Sequence, residues 1–154
     1  MGYELFRDRD RFSASFMETD ILNPNEELRA LLEKIDVLNV THVLHQWEWE
    51  QQVEAAKQLS KFSRPGTLVV GYQAASTGGP KKETRGERGA EYTGRLQNVE
   101  SWDEMWDAVG KGTGTEWKSE AKLKTWAECG YDPEETAYLG EDARLIEFVV
   151  TRVR

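Results

Sequence analysis

At 154 residues the chain is long enough for one ordinary domain and too short for two, and 38% hydrophobic residues with six Trp, five Tyr and five Phe exclude a chain that never packs. Twenty basic against 28 acidic residues leave a net charge of −8, the wrong sign for tracking a nucleic-acid duplex, and no stretch approaches the roughly 18 consecutive apolar residues of a membrane span. A single cysteine, Cys129, excludes an internal disulfide, and the first eight residues hold no signal-like apolar core, so the sequence predicts a soluble, cytoplasmic, single-domain protein.

Short β-rich runs alternate with helical patterns, the signature of an α/β layered fold. Residues 2–10 predict a short helix, and residues 16–22 a strand that ends in a turn. Asn23, Pro24 and Glu26 stand in the order of an N-cap, a first helical position and a capping-box acid, and Leu28, Leu31, Leu32 and Ile35 follow at helical spacing. Residues 35–40 predict a short strand buried on both faces. Trp49, Val53, Ala56 and Leu59 line one side of a helix that runs to Phe62 and is broken by Arg64-Pro65-Gly66. The run 67–72 is the clearest buried strand, and strand, helix and strand at this spacing predict a parallel crossover.

From 73 to 94 the sequence turns polar, glycine-rich and mixed in charge, which predicts an irregular surface loop or lid. Ser101 to Glu104 read as a capping box for a helix carrying Met105, Trp106 and Val109, with Gly110 and Gly112 as stop signals. Residues 116–124 predict a strand, 129–141 turn and loop, and 143–153 a closing strand antiparallel to the one before it. The expected sheet is therefore mostly parallel with an antiparallel C-terminal pair.

The sequence holds no P-loop, no Gly-x-Ser-x-Gly elbow, no cysteine pair for zinc and no His-Glu-x-x-His. Two places remain for chemistry. Asp20 ends the first predicted strand, where open α/β sheets bind ligands; it either bonds a ligand's polar edge or caps the turn before Asn23-Pro24. His42 and His45 follow the second predicted strand, three residues apart and on one face if the stretch is helical. Either one serves as a general base, since imidazole titrates near neutral pH, or they are loop histidines bonded to backbone; a metal site lacks a third ligand nearby. Cys129 has no basic neighbour in sequence to activate it, and six tryptophans point to core and pocket wall.

The segments 16–22, 35–40, Val43-Leu44-His45-Gln46-Trp47 and Ser63-Arg64-Pro65-Gly66-Thr67-Leu68-Val69-Val70-Gly71 resemble consecutive motifs of class I S-adenosylmethionine-dependent methyltransferases, in particular the fungal enzymes of terpenoid and meroterpenoid biosynthesis. The resemblance implies a Rossmann-like fold over residues 1–154, S-adenosyl-L-methionine as cofactor, and a terpenoid or polyketide-derived small molecule as methyl acceptor. It gives Asp20, Ile21 and Thr41 to the cofactor, with Asp20 at the adenine. Leu44-His45-Gln46-Trp47 is similar to the Leu-His-Asp-Trp box of small-molecule O-methyltransferases, whose histidine is the general base; Gln46 replaces the acid, and with a carboxylate acceptor His45 would orient rather than deprotonate. His42, Trp47, Trp49 and Tyr72 would wall the acceptor. The family's glycine-rich loop and ribose-binding acid have no counterpart, which implies an N-terminally truncated domain whose sheet edge is covered by rearrangement, by a homodimer or by a complementing chain. The alternative is a truncated, catalytically inactive homologue that acts as a binding partner or is a vestigial product.

Overall fold

The computed structural model describes residues 7, 10–11, 13–87 and 90–154. A four-residue helix α1 (Glu26–Arg29) leads into strand β1 (Ile35–Asn39), and helix α2 (Trp49–Phe62) crosses to strand β2 (Ser63–Ser76), which lies parallel to β1. Strands β3 (Lys81–Glu87) and β4 (Ala90–Leu96) form a separate antiparallel ladder. Helix α3 (Val99–Thr113), strand β5 (Trp117–Lys124), helix α4 (Pro133–Thr136) and strand β6 (Ala143–Arg152) complete the described chain. The main sheet has the order β1-β2-β6-β5, with β6 antiparallel to both of its neighbours.

Alternation along the strands explains the packing. Val69 of β2 and Ile146, Phe148 and Val150 of β6 point to one face, where Val53, Ala55 and Ala56 of α2 and Trp102, Met105, Trp106 and Val109 of α3 meet them. Helix α3 presents that face because its ends are fixed. Asn98 and Ser101 cap each other's backbone N–H groups at 3.0 and 3.1 Å, and Gly114, at φ +72°, bonds its N–H to the Gly110 carbonyl at 2.9 Å. The opposite face of the sheet is open among the described residues, with Val37 55% and Val149 39% exposed.

Several expectations need correction. Residues 16–22 form no strand; Asp20 and Asn23 close a turn instead, with the Asn23 N–H on the Asp20 carbonyl at 3.1 Å. Asn25, not Asn23, caps α1, its side chain accepting from the Leu28 N–H at 2.9 Å. Strand β1 is an edge strand, so Asp36, Val37 and Asn39 are exposed rather than buried on both sides. The main sheet is mixed: one parallel junction and two antiparallel ones, where a mostly parallel sheet was expected. Segment 73–94 is not irregular, since β2 continues to Ser76 and the β3–β4 ladder follows. That ladder is anchored at its end, where the Ser76 N–H meets the Gln97 carbonyl at 3.0 Å. The cap of α3 falls on Asn98, three residues before Ser101, and the helix runs through Gly110 and Gly112. Between β5 and β6, short helical turns at Ala127–Cys129, α4 and Ala137–Leu139 replace plain loop. The predicted helix 2–10 falls mainly outside the described residues.

Candidate active site

The site begins where β2 closes on the end of β1. A Cβ on Gly71, at φ +154°, would stand 2.6 Å from the Val40 carbonyl oxygen, so only glycine allows this approach. The closeness lets the parallel ladder continue past β1: the Val40 N–H donates to Val70 and the His42 N–H to Tyr72, both at 2.9 Å. His42 then takes a left-handed backbone, φ +54°, uncommon for a non-glycine residue and characteristic of functional turns. A single 3-10 turn, Leu44–Gln46, follows, with the Gln46 side-chain amide donating to the His42 carbonyl at 2.6 Å. The turn buries Leu44 fully and leaves His45 8% exposed.

Three buried glutamines hold this turn. Gln73 Oε1 accepts the His45 N–H at 3.3 Å. Gln52 Nε2, on α2, donates to the carbonyls of Trp47 and Arg95 at 2.8 and 2.7 Å, and Gln97 Nε2 donates to Gln52 Oε1 at 2.9 Å. Gln52 and Gln73 supply hydrogen bonds to backbone groups of the turn and of β4, and Gln97 bonds Gln52, so α2, β2, β4 and the His45 turn are locked as a unit. Strand β4 abuts the turn so closely that a Cβ on Gly94 would lie 2.2 Å from the His45 carbonyl oxygen. Gly94→Ala is therefore expected to displace either the hairpin or the histidine turn and to cost about 1–3 kcal/mol of stability, read as a lowered urea midpoint.

In front of His45, four rings form a connected wall. The His42 ring lies 5.7 Å from His45, edge-on to Tyr72 at 4.9 Å and stacked with Trp126 at 6.5 Å; Trp126 meets Tyr131 edge-on at 5.0 Å. Burial, followed by a hydrogen bond with Tyr72, pushes the Tyr131 phenol above its ordinary value. Beside this wall is a hollow of about 230 Å³ lined by Tyr72, Lys124, Cys129, Gly130, Tyr131 and Glu147. A second hollow of about 560 Å³ shares Tyr72 and Glu147 and extends over the open sheet face to Asn39, Thr41 and Val70. Lys124 Nζ bonds Glu147 at 2.5 Å, which raises the ammonium pKa and holds the carboxyl below its usual range.

Thr125 and Glu128 fix the start of the segment that carries Trp126. Glu128 Oε2 accepts from the Thr125 N–H and hydroxyl, both at 2.7 Å, and these bonds, the backbone one first, lower the Glu128 pKa. A carboxyl whose folded value is depressed stabilises the fold fully above the ordinary Glu value and loses that contribution as pH falls through the lowered one. Trp126 fluorescence is expected to change with a midpoint below the ordinary glutamate pKa, and Glu128→Gln is expected to remove that transition.

The structure brings some of the sequence-predicted residues together and separates others. His42, His45 and Tyr72 form one cluster, and Thr41, its hydroxyl on Asn39 Oδ1 at 2.7 Å, lines the adjoining hollow. Asp20 is an exposed turn residue whose Oδ1 accepts the Leu22 N–H at 2.9 Å, and Ile21 packs half-buried on the core. Trp47 also packs on the core, while Trp49 lies in a different hollow with Glu48 and Arg95, whose guanidinium is 5.7 Å from its ring. Neither tryptophan lines the hollows beside Tyr72. Sequence reasoning missed Trp126, Tyr131 and the three glutamines; the one available signal was Thr125-x-x-Glu128, a capping-box spacing. Among the described residues no cluster of three His, Cys, Asp or Glu could hold a metal ion, and no helix is long and apolar enough to cross a membrane.

No family model matches the chain. Relatives do. It is 36% identical over 121 residues to the O-methyltransferase phiE of a fungal species, a match covering 77% of this chain and 39% of that protein. It is 35% identical over 129 residues to the O-methyltransferase atr3 of Stereocaulon alpinum, covering 80% of this chain and 36% of that protein. Over these stretches the chain is similar in sequence to fungal O-methyltransferases. It spans about two fifths of the length of these relatives. Solved structures share the fold at low identity. The Burkholderia thailandensis 1,6-didemethyltoxoflavin-N1-methyltransferase, solved with S-adenosylhomocysteine, superposes with a TM-score of 0.62 at 9% identity, over 97% of this chain and 56% of that one. The [4+2]-cyclase SpnF gives 0.65 at 11% identity, over 96% and 60%. A cyclase among the neighbours shows that this Rossmann-like fold does not by itself fix the reaction.

Proposed function

We propose that the chain carries the acceptor side of an S-adenosylmethionine-dependent O-methyltransferase acting on a small molecule of fungal secondary metabolism, with His45 as general base. The observation that carries this reading is the position of His45: buried on a turn just past the carboxyl end of β1, behind a wall of aromatic rings, in the central part of the chain that any match covering 77% of it must include. The carboxyl ends of sheet strands are where α/β folds bind ligands.

Of the residues proposed for the nucleoside end of the cofactor, Thr41 lines the hollow at the end of β1, whereas Asp20, on an exposed turn, and Ile21, packed on the core, are not part of that lining. When bound, S-adenosylmethionine supplies an electrophilic methyl group. The imidazole of His45 takes the proton of the acceptor hydroxyl, its backbone held by Gln73 and its near-complete burial keeping water from competing. His42 and Tyr72 orient the acceptor, and the locked turn supplies the pre-organisation on which such transfers depend. The acceptor is a terpenoid or polyketide-derived compound.

Calorimetric titration of the folded protein with S-adenosylmethionine tests the reading. Saturable heat with one-to-one stoichiometry is expected, and a chain that is folded by circular dichroism yet gives no heat overturns it.

A further inference from the structure

We infer that the hollow beside the wall of His42, Tyr72, Trp126 and Tyr131 is a recognition site for one flat, neutral, hydroxylated ring, a phenol or enol, presented by the acceptor. The inference rests on the proposed function and specifies its acceptor.

Size is the first argument. A dry cavity of about 150 Å³ takes up benzene, whereas sites for drug-sized molecules run from about 300 Å³ upward. The hollow, at about 230 Å³, suits a single ring with small substituents, the remainder of a larger molecule lying outside. Shape and electronics come next. Aromatic faces carry negative potential and edges positive, so the Tyr72 and Tyr131 rings that line the hollow, backed edge-on by His42 and Trp126, favour another flat π-system over a saturated ring of equal volume.

Hydrogen bonding supplies the hydroxyl. Tyr72 and Tyr131 both line the hollow, and a phenolic hydroxyl can donate to or accept from a ligand oxygen. Charge decides between neutral and anionic ligands. Lys124 is the ammonium in the lining, and Glu147 of the same lining bonds it at 2.5 Å while also meeting Lys122 of the adjoining hollow at 3.3 Å. A carboxylate ligand would have to compete with that bond, whereas a neutral hydroxyl need not.

Cys129 makes the test independent of methyl transfer. It is the chain's single cysteine, exposed, and part of the hollow's lining, so a bound ring shields it from a disulfide reagent such as Ellman's. Resorcinol at about ten times its dissociation constant is expected to slow Cys129 modification roughly tenfold, by occupancy alone. cis-1,3-Cyclohexanediol, with the same two hydroxyls on a saturated ring, is expected to have little effect. Trp126→Leu is expected to abolish the protection. Should that variant fold poorly, Tyr131→Ala, at a residue 38% exposed, is expected to do the same. Equal protection by both diols, or protection by neither, overturns the inference. The S-adenosylmethionine titration reports separately on the methyltransferase reading. Ring-specific protection without cofactor binding leaves the site standing and removes that reading, and cofactor binding without ring preference does the reverse.

Discussion

Replacing His45 by glutamine is expected to lower methyl transfer by about 100- to 10,000-fold, the range associated with losing a positioned general base, while the unfolding midpoint barely moves. The two effects separate because the backbone of the turn is held by bonds that do not use the imidazole. Its fixed points are the His45 backbone N–H on Gln73, the Trp47 carbonyl on Gln52, and the Trp47 carbonyl again receiving the Arg95 N–H at 3.0 Å. A glutamine at 45 keeps all three. His42→Asn is the instructive contrast. Asparagine tolerates the left-handed backbone at φ +54° better than most residues, so the turn survives, but the ring that links His45 to Tyr72 and Trp126 is lost. That variant is expected to raise KM with a smaller effect on kcat, because it removes an acceptor contact and not the base. If both variants lose kcat alike and neither changes KM, His45 is not distinguished as the base.

What the sequence made legible divides along physical lines. Strand 67–72 and the strand at the C-terminus were readable because runs of Val, Leu, Ile and Phe fit a buried sheet, and α2 because Trp49, Val53, Ala56 and Leu59 recur at its period. The β3–β4 ladder was not, since two strands pairing through backbone bonds need no apolar run, and Lys81-Lys82-Glu83 carries none. Residues 16–22 have strand-like composition but pair with no strand in the described structure, and composition cannot supply a neighbour. In the site, the rings of His42 and His45, three residues apart in sequence, lie 5.7 Å from each other. The ring wall was invisible because Trp126 and Tyr131 reach it from a turn-rich segment more than 50 residues beyond Tyr72 in the sequence. The glutamines were hidden for a different reason: a polar side chain gives no apolar signal, and only the structure shows the carbonyls and N–H that Gln52 and Gln73 meet.

Trp102→Ala is expected to be the most destabilising single change, at about 3–5 kcal/mol. Against a typical domain stability of about 5–15 kcal/mol, that removes a third or more and leaves the low end of the range barely folded. Trp102 is fully buried, lies 4.3 Å from the Phe148 ring and 6.1 Å from Trp106, and Trp106 in turn lies 4.8 Å from Trp117. Trp102 thus joins α3 to the centre of the sheet at β6, while Trp106 beside it reaches the β5 edge, and alanine at 102 would leave a void that its rigid neighbours cannot collapse into. Trp102→Phe sharpens the point. The Trp102 indole N–H is buried with no hydrogen-bond partner among the described residues, an arrangement that costs about 1–3 kcal/mol. Phenylalanine removes that donor while keeping a flat ring against Phe148, so its loss is expected to be less than half that of alanine. Urea unfolding measures both, with the midpoint falling and the slope unchanged. A phenylalanine variant as unstable as the alanine one would mean that the volume of the indole, and not its stranded N–H, sets the balance at the centre of this core.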